Sequence, residues 1–130
     1  MTSSGDSILV QSSRSRKVAF GPFEFDPDSG ELRKNGYKVK LPKQPGEILS
    51  ALVKHPGEVV TRDDLRIRLW PGMSSGDFEH GVNAAVNRLR QVLGDAAAEP
   101  RYVETLPGRG YRFVAPLSTA SGNWFLPGWR

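Results

Sequence analysis

The stretch DFEHGVNAAVNRLRQVL, residues 77–93, puts two chemistries on two faces of one helix. Val82, Val86, Leu89 and Leu93 recur at spacings of four, three and four, which is the helical period. Ala85 and Val92 widen that stripe into a wall for a small core. His80, Asn83, Ala84, Asn87, Arg88, Arg90 and Gln91 fall on the remaining arc. Asp77 is placed to cap the N-terminus, and Gly94 to close the C-terminus with a left-handed residue. A helix of about 16 residues is roughly 24 Å long at 1.5 Å per residue.

The outward arc consists of hydrogen-bonding tips. It has three side-chain amides, two guanidinium groups and a methyl, with only Glu79, near its start, acidic. Arginine pairs with guanine and asparagine with adenine through bidentate hydrogen bonds, and an alanine methyl touches that of thymine. A helix also fits a DNA major groove about 12 Å wide. The same arc reads equally as the solvated face of an ordinary surface helix, so the helix alone leaves both readings open.

The flanking sequence gives that helix a setting. PGMSSG at 71–76 is a polar loop, and TRDDLRIRLW before it reads as a helix over about 62–70. Thr61 serves as N-cap, and Asp63 and Asp64 occupy the first turn, where the helix dipole favours acids. Leu65, Leu69 and Trp70 turn inward. Further upstream a helix is expected over about 45–54, with Ile48, Leu49, Leu52 and Val53 inward and His55-Pro56-Gly57 as its stop. Val59-Val60 forms a short extended link. From Val18 to Leu41 the period is two: Phe23 and Phe25 alternate with Glu24 and Asp26, and Tyr37, Val39 and Leu41 with Lys38 and Lys40. With turn signals at 27–30 and 35–36, this is a small antiparallel sheet of three or four strands. Downstream, 101–105 and 110–114 read as two strands, paired as a hairpin by the short Leu106–Arg109 connection, with Arg109 at its tip. The fold class is α+β: a winged helix-turn-helix with an N-terminal antiparallel sheet, three helices and a C-terminal hairpin wing.

A chain of 130 residues supports one compact domain with tails. Residues 1–17 are a Ser-rich flexible tail, 18–116 the domain, and 117–130 a C-terminal tail or the start of a linker. In that last stretch Trp124, Phe125, Leu126 and Trp129 are large and apolar, which calls for cover. They fold back on the domain, meet a second copy, begin a longer segment, or are an appended remnant. The net charge of +4 permits a polyanionic partner without demanding one. The lack of cysteine excludes disulfides, thiolate zinc sites and cysteine nucleophiles, and suits a reducing compartment. No signal-peptide core and no apolar run near 18 residues is present, so a soluble, cytoplasmic chain is expected.

Three motifs in series, PGEVVTRDDLRIRLW at 56–70, VNAAVNRLRQVLGD at 82–95 and YVETLPGRGYRF at 102–113, resemble the OmpR/PhoB-type winged-helix DNA-binding domain of bacterial transcription regulators. The likeness spans about residues 18–116. DFEHGVN followed by PRYVETLPGRGYRFVAP is similar to the CadC-like subgroup, which carries this domain at the N-terminus without a phosphoacceptor receiver. Many such chains continue into a membrane helix and an extracytoplasmic sensor. Two departures stand out. The family's Thr-x-x-Glu at the entrance to the first helix is replaced by Lys43-Gln44-Pro45-Gly46-Glu47. The wing arginine that some members place in the minor groove is Pro107 here, and Arg109 is the replacement candidate, since a narrow minor groove attracts a guanidinium.

The resemblance implies sequence-specific binding of double-stranded DNA, with helix 77–93 in the major groove and the wing, 101–114, at the minor groove and backbone. Arg88 is the leading base-edge contact, with Asn87 and Ala84 beside it. Asn83, Arg90 and His80 are assigned to phosphate or to each other. Trp70 resembles a family position whose indole N–H reaches a phosphate, with a purely structural tryptophan as the alternative. Thr105 and Arg112 are expected as backbone anchors. Loop 71–76 resembles the family's contact region for RNA polymerase, and a tandem homodimer on direct repeats is implied. The competing reading is a winged-helix protein-interaction or RNA-binding module. An enzyme is not expected: Asp63-Asp64 and Asp77-Glu79-His80 lack partners at metal-ligand or acid–base spacing. No cofactor or metal is expected.

Overall fold

The computed structural model describes residues 17–119 and 124–125. Its elements run β1 (Val18–Phe20), β2 (Phe23–Asp26), β3 (Glu31–Lys34), β4 (Tyr37–Val39), α1 (Lys43–Lys54), β5 (Val59–Thr61), α2 (Arg62–Leu69), α3 (Ser75–Leu93), β6 (Val103–Leu106), β7 (Gly110–Phe113), β8 (Leu117–Thr119) and β9 (Trp124–Phe125). The first four strands pair antiparallel in succession, as the two-residue period predicts. Asn35 and Gly36 turn β3 into β4 with φ of 52° and 86°. Two left-handed residues are what a tight hairpin needs if its turn is to follow the strands' twist.

The sheet extends further than the sequence suggests. β8 pairs with β1, and β9 with β8, giving the order β4-β3-β2-β1-β8-β9. Leu117, which the sequence assigns to the tail, is buried in the core. For β8 and β9, then, the stretch turns back onto the domain's own sheet. Leu126 and Trp129, like residues 1–16, lie outside the described residues.

Helix α1 begins at Lys43, two residues ahead of the expected start, with Pro42 as an N-cap that makes no side-chain bond. Pro45 does not delay it, because the first-turn N–H groups of a helix have no intrahelical partner and proline forfeits nothing there. Gly46 N–H then closes the first turn on the Pro42 carbonyl at 3.0 Å. Helix α2 starts as expected, with the Thr61 hydroxyl accepting from Asp64 N–H at 3.0 Å. Helix α3 begins earlier than Asp77. Its N-cap is Ser74, whose hydroxyl accepts from Asp77 N–H at 3.3 Å. Asp77 is therefore a first-turn acid that complements the helix dipole, not the cap. Gly94, at φ 71°, ends the helix as expected.

The expected hairpin is a three-stranded sheet in the order β5-β7-β6. The Val59–Thr61 link pairs antiparallel with β7, and Thr61 faces Gly110. A β-carbon at Gly110 would lie 2.1 Å from the Val60 carbonyl oxygen, so only glycine lets the two backbones approach this closely. The core fills the space between both sheets and the helices, with Phe25, Leu32, Ile48, Leu49, Leu65, Val82, Leu89, Val103 and Phe113 all sealed from solvent. Phe20 bridges the two sheets, meeting Phe113 edge-on at 5.0 Å and Tyr102 at 5.5 Å. Such aromatic pairs add about 0.5–1.5 kcal/mol each beyond their area burial.

Candidate nucleic-acid interface

The amphipathic division of α3 is clean over most of its length. Val82, Ala85, Val86, Leu89 and Leu93 are buried, joined by Phe78. His80, Asn83, Ala84, Asn87, Arg88 and Gln91 are exposed. Among the described residues Arg88 makes a single long hydrogen bond, Nη1 to Gln91 Oε1 at 3.5 Å, which leaves its guanidinium available to a ligand.

Arg62, in the first turn of α2, organises the start of this helix and was not singled out by the sequence. Its Nε donates to Glu79 Oε2 at 3.3 Å and its Nη2 to Glu79 Oε1. Nη1 donates to the Tyr111 hydroxyl at 3.0 Å, and Nη2 reaches Asn83 Oδ1 at 3.4 Å. The guanidinium also sits 5.6 Å from the Tyr111 ring centroid. One side chain thus links α2, α3 and β7. The bond to the Glu79 carboxylate holds the Arg62 pKa above its ordinary value, against partial burial that lowers it, and Tyr111 adds to the rise. A raised folded-state pKa contributes stability that is complete below the unfolded pKa and is lost only as pH rises through the folded one. Since an arginine stays protonated far above neutral pH, its charge in this link is constant across physiological pH.

Arg90 corrects the sequence reading. It is not on the exposed arc: it is 7% exposed, and its Nη2 donates to the Val103 carbonyl at 3.1 Å and to Thr105 Oγ1 at 2.6 Å. Its Nε is buried without a hydrogen-bond partner among the described residues. The signal was in the sequence, because Phe78, Val82, Val86 and Arg90 form one row at four-residue spacing. At 100° per residue Arg90 lies only about 40° round from Val86, on the flank of the apolar stripe. Thr105 itself is exposed on β6, with its hydroxyl oxygen held by Arg90. Asp95, just past the Gly94 cap, supplies a second clamp that the sequence did not reveal. Its carboxylate accepts from the N–H groups of Arg101, Tyr102 and Val103 at 2.7, 3.2 and 2.9 Å, fixing the entry to β6.

The wing tip comes round to the start of α2. Arg62 N–H donates to the Arg109 carbonyl at 3.1 Å, and Arg109 N–H closes the turn on Leu106 at 2.9 Å. An open groove of about 560 Å³ is lined there by Arg62, Arg66, Phe78, Glu79 and Arg109. The Arg109 side chain is exposed. Arg112 lies opposite Glu104 and is bonded to it through Nε at 2.9 Å and through Nη2, so it is not an unencumbered cation. Trp70 is 5% exposed, edge-on to Phe78 at 5.5 Å. Gly81 leaves room for its indole: a β-carbon there would lie 3.3 Å from Nε1. Two of the acids considered for catalysis are engaged by arginines. Asp63 pairs with Arg66 at 2.6 Å and Glu79 pairs with Arg62, while Asp64 lies in the first turn of α2, where its N–H donates to the Thr61 hydroxyl.

A long helix with bonding tips on its outer arc, reached from a shorter helix by a loop and flanked by a β-hairpin, defines a winged helix-turn-helix protein. The chain belongs to the family described as transcriptional regulatory protein, C terminal, whose model matches residues 36–113. This is a family of transcription regulator domains and not of enzymes. A curated relative, the cholera toxin homolog transcriptional activator of Vibrio parahaemolyticus, is 32% identical over 110 residues, covering 78% of this chain and 38% of that protein. The chain therefore spans about two-fifths of that relative's length. Among solved structures, the Klebsiella pneumoniae RstA DNA-binding domain in complex with the RstA box is 31% identical, with a TM-score of 0.65, over 75% of this chain and 96% of that one. The DNA-binding domain of Escherichia coli CadC is 26% identical, with a TM-score of 0.64, over 82% and 98%. Among the described residues no helix is long and apolar enough to cross a membrane.

Proposed function

We propose that this chain binds double-stranded DNA sequence-specifically as part of a bacterial transcription regulator, with α3 in the major groove and the wing at the minor groove and backbone. The exposed arc of α3 carries the proposal: Ala84, Asn87 and Arg88 are exposed while the opposite stripe is locked in the core. Arg88 is the base-reading residue, with Asn87 and Ala84 beside it. Asn83 flanks them on the side of Arg62 and Tyr111. Thr105, Arg109 and Arg112 serve the backbone and the adjacent minor groove, where contacts hold register without reading sequence directly. Trp70 supports this surface from beneath. The family likeness adds two partners: RNA polymerase at loop 71–76, where Met73 is exposed, and a second copy of the domain on a direct repeat. With DNA as its target the domain works in the cytoplasm.

Selection of bound sequences from a random duplex pool tests the proposal, with single-stranded DNA and RNA run in parallel at two salt concentrations. The expected result is a defined duplex site. Arg88→Ala should then flatten preference at the base pair it reads, by about 1–3 kcal/mol of discrimination. Unchanged preference in that variant removes Arg88 from its role. Tighter binding to RNA than to any duplex would favour the RNA-binding reading instead.

A further inference from the structure

The inward bonds of Asn83 set the polarity of its outward amide. An asparagine that reads adenine uses both ends of its amide, its oxygen accepting from adenine N6 and its nitrogen donating to N7. Asn83 has already committed its oxygen. Oδ1 accepts from Arg62 Nη2 at 3.4 Å and from the Tyr111 hydroxyl at 3.5 Å. Arg62 is itself anchored by Glu79, so the donor facing Asn83 is held in place from behind. The amide cannot turn round at no cost, because a guanidinium has only donors and the flipped NH₂ would face it donor to donor. Nδ2 has no hydrogen-bond partner among the described residues, and the side chain is exposed.

We infer that Asn83 is a donor-only contact: it offers its Nδ2–H to a hydrogen-bond acceptor on DNA and is held out of the two-ended adenine contact. The acceptor is guanine O6 or thymine O4, which the major-groove edge of adenine lacks, or a phosphate oxygen. Arg62, Glu79 and Tyr111 then act as positioning residues that decide which end of the amide the target meets. This rests on the duplex-binding reading above and deepens it.

The test compares wild type, Asn83→Ala and Asn83→Asp in the same duplex selection, with thermal melting to verify that each variant is folded. Both substitutions remove the donor, and the alanine does so without adding charge. If the acceptor is on a base, both variants lose preference at one position of the selected site, where wild type favours guanine or thymine over adenine by roughly three- to tenfold. If it is a phosphate oxygen, Asn83→Ala keeps the wild-type site and weakens every sequence by a similar few-fold, with Asn83→Asp weaker still. Either pattern supports the inference. It is overturned if Asn83→Ala matches wild type in both affinity and selected site, or if the position it reads is an adenine that the variant no longer prefers. Those results leave duplex binding standing. Failure of the wild-type chain to select any duplex overturns both readings together.

Discussion

The outer arc of α3 and its wing-facing flank are built from the same residue types, amides and arginines, yet they are held very differently. On the arc, Arg88 has, among the described residues, one long hydrogen bond within its own helix. Two residues on, Arg90 is buried and bonded to the backbone and a side chain of β6. Asn87 stands exposed, while Asn83, one turn before it, is engaged by α2 and β7. The difference separates two tasks within a single helix. A surface that is to bind a polyanion must keep donors unspent, because a donor already paired inside gains little by changing partners. A surface that is to hold the wing at a fixed angle must spend its hydrogen-bonding groups, Arg90 its donors and Asn83 its acceptor, since a loosely held hairpin would add ordering cost to every binding event.

The largest effect that would test this division is on stability. Arg90→Ala removes two charge-assisted hydrogen bonds at a buried site and should cost about 2–4 kcal/mol, read as a lower denaturant midpoint. Arg90→Met should recover part of that loss, because the arginine Nε is buried without a partner among the described residues and a methionine keeps the packing of the stem without the desolvated charge. Arg88→Ala should leave stability within about 0.5 kcal/mol of wild type, as surface substitutions usually do. If the two alanine variants melted alike, the arc and the flank would not be distinct.

Much of this arrangement was readable from the chain. The apolar stripe of α3, the Thr61 and Gly94 caps, the alternating N-terminal strands and the hairpin around Arg109 all follow from local spacing and turn chemistry, and each is present. What was hidden depended on partners distant in sequence. Nothing near Arg90 announces Val103 or Thr105, and an arginine beside a helix cap gives no sign that it will reach Glu79, Asn83 and Tyr111 at once. Strand β8 was obscure for a similar reason: a three-residue strand has no period to display, and Leu117 is buried only because β1 lies alongside. The Ser74 cap was missed because Ser74, Ser75 and Asp77 all suit that position, and only the backbone decides among them.

An intermediate effect is expected at the wing tip, where Arg109 is exposed like the arc but rests on the backbone bond between its own carbonyl and Arg62. Arg109→Ala leaves that bond intact. It should lower affinity for all duplexes, reduce the slope of log affinity against log salt by about 1, and leave the melting temperature nearly unchanged. If the salt slope stayed the same, the tip would not be touching the backbone or the minor groove.

The smallest effect belongs to Arg112, which shares features of both regions. It is a wing cation on the proposed DNA side, but Glu104 across the strand already engages it. Both side chains remain about one-third exposed, so the pair itself is worth about 0–1 kcal/mol of stability. A phosphate must compete with Glu104 for the guanidinium, so the net gain from Arg112 is less than from an unpaired arginine. Arg112→Ala should therefore weaken binding evenly across sequences by only a few-fold, which titration of one selected and one scrambled duplex would measure. Glu104→Gln separates competition from indifference. Freed of the carboxylate, Arg112 should bind phosphate better, and affinity for both duplexes should rise together. That rise should vanish in the double variant with Arg112→Ala, apart from the part owed to the lost negative charge. An identical rise with and without Arg112 would make the ion pair a hairpin fastening alone and assign the wing's backbone contacts to Arg109 and Thr105.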